Sequence, residues 1–162
     1  RKTIMAYGVV RTDNMSGTTL GKDLVSVKYQ ASGADAAIEN GAVVLVGDYI
    51  DGEVRKASAP AANSPLGSIA LIASEEIVKD KNMNTLDEFI NKAGAVSRGY
   101  RLRSGDIFSL KAAAIDGTAK KGSVIELQAG TKLKAVDSLT ASSTKVGTVT
   151  KVEGEWFVIE VA

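Results

Sequence analysis

The sequence predicts a mainly β protein: two related small β units, barrels or sandwiches, with one short helix between them and an N-terminal arm. Three observations carry this. An internal repeat runs through the chain, and its segments alternate apolar and polar residues between glycines. The composition is that of a folded chain, 44% hydrophobic and 24% charged with two prolines in 162 residues, enough for one sizeable core or two small ones.

Three matched blocks define the repeat. GKDLVSVK (Gly21 to Lys28) lines up with SGDIFSLK (Ser104 to Lys111) at an offset of 83, pairing Asp23 with Asp106, Ser26 with Ser109 and Lys28 with Lys111. NGAVVLV (Asn40 to Val46) matches KGSVIEL (Lys121 to Leu127) at 81, and PLGSIALI (Pro65 to Ile72) matches KVGTVTKV (Lys145 to Val152) at 80. Short loop deletions explain the drift. The competing explanation is shared strand vocabulary, since glycine followed by alternating Val and Ile recurs for local reasons.

In chain order, residues 1–20 have no counterpart in the second half and read as an arm or an edge strand. Tyr7 and the cations Arg1, Lys2 and Arg11 stand there beside Met5 and Val9, a mixture suited to contacting a partner. Arg1 is unusual as a native first residue, so residues that precede it are expected to be missing. Residues 21–80 form the first β unit, in which DLVSVKY has the period of a strand with one buried face. Within it EVRKASAPAANS (residues 53–64) reads as a mobile small-residue loop.

Residues 81–103 read as a helical linker. Thr85-Leu86-Asp87-Glu88 has the form of a capping box, in which Thr and Glu satisfy each other's backbone amides. Leu86, Phe89, Ile90 and Ala93 would then share one face of a helix over 85–93 that ends at Gly94. After it, Arg98, Tyr100, Arg101 and Arg103 cluster, residue types favoured at protein interfaces and equally at home on the wet face of a strand. Residues 104–162 form the second β unit, closed by a hairpin at Glu153-Gly154-Glu155.

The chain has no cysteine and no histidine, which excludes thiolate and imidazole chemistry, disulfides and the usual zinc ligands. Glu75 with Glu76, and Glu153 with Glu155, are the densest carboxylates and read as solvated turn charges. Asp48, Asp51 and Glu53 lack the alternating ligands and distal Glu of an EF-hand. The reading is therefore a non-enzyme with no metal and no cofactor. Nine Lys/Arg against ten Asp/Glu in residues 1–81, and eleven against nine in 82–162, argue against nucleic acid as a partner. No stretch reaches the roughly 20 apolar residues of a membrane span, and no targeting signal is evident.

The run IENGAVVLVGDYIDGEVRKA, then SPLGSIALIASEEI, TLDEFINKAG, YRLRSGDIFSL, KKGSVIELQAGTKLKA and VGTVTKVEGEWFVIEVA resembles the head-decoration proteins of tailed bacteriophages over most of residues 20–162. That resemblance implies a structural protein that binds the outer surface of an assembled head and reinforces it. The major capsid protein would be its partner, with neighbouring copies of itself in trimer or lattice contacts, and the virion its location. The alternative is a particle-surface or extracellular adhesion module, carbohydrate-binding among the possibilities. A carbohydrate module usually presents several exposed aromatics, whereas Trp156 is the single tryptophan and falls in a terminal strand.

Overall fold

The computed structural model describes residues 6–77 and 86–162. The described residues are mainly β, as the alternation predicts, and form two sheets. The strands are β1 (Val10–Asn14), β2 (Leu24–Ala31), β3 (Ala34–Asp35), β4 (Val43–Asp51), β5 (Val54–Ser58), β6 (Ile69–Ile72), β7 (Ser97–Arg101), β8 (Ile107–Lys111), β9 (Ile115–Asp116), β10 (Val124–Glu126), β11 (Leu133–Val136), β12 (Lys145–Glu153) and β13 (Trp156–Val161). No helix among them is long and apolar enough to cross a membrane.

The first sheet closes on itself. It runs β2-β5-β4-β6-β7, and β7 pairs back to β2, with β3 a short hairpin extension of β2. All pairings are antiparallel except β2 with β5. Closure leaves no free edge among these five strands and encloses Val25, Val27, Val44, Ala57, Ala70 and Ile72.

The second sheet has seven strands, with β1 at one edge beside β8. From there its order is β8-β13-β12-β10-β11-β9, again with one parallel pair, β9 with β11, and β8 leads into β9 through a three-residue 3-10 turn, Ala112–Ala114. The ladders of the two sheets can be aligned, apart from bulges in β10–β12 and β12–β13. Setting Leu24 on Ile107, as the first sequence block does, makes Glu160 the counterpart of Tyr100 and Thr148 that of Leu71. The route through β4 and β10 arrives at the same pair, because Val43 faces Leu71 and Val124 faces Thr148. The third sequence block would instead place Lys151 opposite Leu71, so the ladders shift that block by three residues. Tyr29 faces Ala57 and Ile115 faces Leu133, which opens the offset along β2 and β8-β9 from 83 to 86, the length of the 3-10 turn.

The two barrels share a core. β6 reads Ile-Ala-Leu-Ile with every residue buried, a continuous apolar run that signals burial on both faces. Ala70 and Ile72 line the first barrel, while Ile69 and Leu71 join Val43 and Tyr100 in one cluster with Phe108, Leu110, Ile125, Leu133 and Ile159 of the second. Backbone bonds cross the same junction, from Val43 N–H to Thr131 O (2.7 Å) and from Thr144 N–H to Ala62 O (2.8 Å). Gly41 lies there at φ 82°, and a β-carbon on it would stand 2.9 Å from Leu110 Cδ2; its block counterpart Gly122 has φ 90°. Gly41→Ala is therefore expected to cost about 1–2 kcal/mol from the left-handed conformation alone, more with the contact, measured by urea unfolding.

Three expected boundaries move. Val10–Asn14 is not a free arm: β1 pairs with β8 at the edge of the second sheet, and Val9, Val10 and Met15 are buried. The alternative reading places an edge strand at residues 4–10 of the first unit; the observed strand begins at Val10 and lies on the second sheet. Residues 53–64 are not simply a loop, since β5 runs to Ser58 and the carbonyls of Ala62 and Ser64 accept from Thr144. The linker 81–103 contains β7, the strand that closes the first barrel.

The helix expected over 85–93 is, in its described part, one 3-10 turn at Leu86–Glu88; Thr85 of the capping box lies outside the described residues. Asn91 is taken by tertiary bonds. Its backbone bridges Ile38 in both directions (2.9 and 3.0 Å), and its amide donates to Ile38 O and Asn40 Oδ1. A nine-residue helix is marginal on its own, so a buried amide network outweighs it.

Candidate functional site

The sequence-predicted contact residues separate into four places. Arg1 and Lys2 lie outside the described residues. Tyr7 is half-buried, and its N–H donates to Asp87 O at 2.8 Å.

Arg11 belongs to a charged face across β1, β8, β13 and β12. Its guanidinium donates to Asp13 (2.6 Å), Glu153 (2.9 Å) and Ser109 (3.3 Å) and lies 5.1 Å from the centroid of Trp156. Lys111 stands over the same ring at 5.4 Å and pairs with Asp87 and Glu155. The hydrogen bond to Glu153, then that to Asp13, raises the Arg11 pKa. Burial opposes the Lys111 charge, yet Glu155 and Asp87 outweigh it and raise that pKa too. Glu153 is pulled below the ordinary carboxylate value by Lys151 first and Arg11 second. This is a satisfied network, and cations already occupy the indole ring that a sugar would stack on.

Tyr100 and Arg103 are structural. Tyr100 is buried against the second barrel, 8% exposed, and a β-carbon on Gly17 would come within 2.6 Å of its ring, so it presents little surface to a partner. Arg103 Nε donates to Asp23 Oδ2 at 2.5 Å, and its backbone N–H donates to Asp106 Oδ2 at 2.9 Å. The block-equivalent aspartates Asp23 and Asp106, both buried, thus meet at one arginine, and Asp106 also accepts from Ser16 N–H (2.9 Å) and Oγ (2.6 Å).

The hydrogen bond from Arg103 depresses the Asp23 pKa against the opposing effect of desolvation. A depressed folded value means the stabilisation is complete above the unfolded carboxylate value, about pH 4, and is lost as pH falls through the folded value. Urea midpoints measured down a pH series should therefore drop below about pH 4, and Asp23→Asn should start lower and drop less over that window.

Arg98 and Arg101 come together at the mouth of the first barrel, where β2 begins, β7 ends and β4 turns into β5. The cleft there has a volume of about 480 Å³, and Lys22, Tyr49, Glu53 and Arg55 line it with them. Strand parity explains the placement of Arg101 and Arg55, whereas Arg98 has the opposite parity, that of Tyr100. Arg101 has the parity of Gly99, whose α-carbon faces Val25 and Ala70 inside the barrel, and Arg55 has the parity of buried Ala57. Both cations are inward-phased residues at the open end.

Neutral acceptors hold Arg55 and Arg101. Arg55 Nε donates to Gly47 O at 2.7 Å while its guanidinium lies 5.0 Å from the Tyr49 ring centroid, and Arg101 Nη1 donates to Gly67 O at 3.2 Å. Arg98 makes a loose, exposed pair with Glu75 at 3.4 Å. By contrast Arg11 and Arg103 are committed to carboxylates. Sequence reading found Arg98 and Arg101 and missed Lys22, Tyr49 and Arg55. Period-two alternation in VRKAS was the available signal, hidden by the small residues that follow it.

No family model, curated protein or solved structure matches the chain.

Proposed function

We propose that this protein is a head-decoration protein: a duplicated β module that binds the outer surface of a tailed-phage capsid, contacts the major capsid protein through the cationic mouth of its first barrel, and stabilises the shell. The observation that carries the reading is that mouth, where backbone carbonyls position the guanidiniums of Arg55 and Arg101, and the Tyr49 ring lies beside that of Arg55. Duplication is supported by ladders that correspond around both barrels, including the single parallel pair. Two barrels on one core make a stiff body, and many copies on a lattice stabilise it collectively even when each contact is weak. The reading implies neither catalysis nor a cofactor.

The test is co-sedimentation with undecorated shells assembled from the major capsid protein encoded in the same genome. Saturable binding by the wild type, weakened at least about tenfold in a chain carrying both Arg98→Glu and Arg101→Glu, is the expected result. Failure of the wild type to sediment with shells overturns it. An adhesion module would give that failure together with binding to host cells, and its gene would sit beside a fibre or lysin and not beside the capsid gene.

A further inference from the structure

We infer that the mouth of the first barrel is a receptor for an acidic polypeptide segment, one that presents two or more carboxylates with an apolar side chain beside them. This rests on reading the mouth as the contact surface and specifies what it contacts. Lys22, Arg55, Arg98 and Arg101 supply four positive charges and Glu53 returns one, so the lining residues carry +3 (4 − 1). Glu75, paired with Arg98 from outside the cleft, and Asp23, which interacts electrostatically with Lys22 and Arg101, offset part of that.

The guanidinium geometry selects an oxyanion, and the apolar neighbours decide which. An arginine whose Nε is tied to a backbone oxygen, as Arg55 is to Gly47, keeps its terminal amino groups for a forked contact, and the ring of Tyr49 fixes the plane of the fork. The surroundings select a polypeptide. Tyr49 is 67% exposed, and Ile50 and Leu20, chain neighbours of the lining residues Tyr49 and Gly21, are each 44% exposed. Arginine and tyrosine beside exposed aliphatics form the mixed anchor set of a protein interface. A phosphate or a nucleic acid backbone gains nothing from Leu20 and Ile50.

The experiment uses the full chain and a fluorescein-labelled ten-residue peptide rich in Asp and Glu with one Leu and one Phe, read by anisotropy. A lysine-for-acid version of the peptide, inorganic phosphate and a ten-nucleotide single-stranded DNA serve as rivals. Expected are saturable binding of the acidic peptide, weakening with salt, and a loss of about tenfold in each of Arg55→Gln and Arg101→Gln, the size of one charge-assisted hydrogen bond. Arg11→Gln, on the distant charged face, should bind as wild type. Circular dichroism melting of each variant separates lost binding from lost fold, and Arg55→Lys, which keeps charge without the fork, should bind as weakly as Arg55→Gln.

Absence of peptide binding, equal binding of the lysine peptide, or tighter binding of DNA or phosphate overturns the inference. Shell binding that survives Arg55→Gln and Arg101→Gln overturns it while leaving head decoration intact. Peptide binding without shell binding supports it and removes head decoration.

Discussion

A chain that begins at Lys22 is expected to lose most of its stability and to melt tens of degrees lower or not fold at all. The truncation removes β1 and with it Val9, Val10 and Met15, which are all buried. At about 1.5–3 kcal/mol for each buried apolar side chain, the loss is roughly 5 kcal/mol or more, comparable with the whole stability of many domains. It also removes Ser16, whose N–H and hydroxyl satisfy buried Asp106, and bares one edge of β8. Differential scanning calorimetry or urea unfolding of the truncated chain measures this. A free arm would have left the melting temperature within a few degrees, and that outcome would overturn the assignment of Val10–Asn14 to the sheet.

Leu71→Ala is expected to destabilise both barrels at once. Leu71 has no exposed surface and belongs to the cluster that the barrels share, so the substitution should cost about 2–5 kcal/mol in lost transfer energy and cavity. Trp156, the single tryptophan, lies in β13 of the other barrel and gives an independent reporter. Urea unfolding followed by Trp156 fluorescence and by far-ultraviolet circular dichroism should give one coincident transition, shifted equally in both signals. If the barrels were separate domains, the fluorescence transition would stay where the wild type has it. A moved circular dichroism signal with an unmoved fluorescence signal would therefore refute the shared core.

The β class and the positions of most strands were legible in the sequence because each rests on local pattern. Side chains alternate with period two, and glycine marks turns such as Gly41 and Gly122 where φ is positive. The buried pair Asp23 and Asp106 was legible as a match, though not as a meeting point. Arg98 and Arg101 were picked out by residue type alone.

What only the tertiary structure decided is which strands join which sheet. β1 and β7 come from segments that read as arm and linker, and they are placed by pairing with β8 and β2, partners about 95 and 75 residues away in the chain. Asn91 leaves the expected helix for a bridge to Ile38, a contact 53 residues distant. The cationic mouth likewise draws Lys22, Arg55 and Arg101 from three strand ends. Local sequence sets which face of a strand is apolar, whereas ladder pairing and burial against a second barrel set where that face points. Tyr100 illustrates the difference: its residue type favours an interface, and the fold spends it on the contact between the protein's own two barrels.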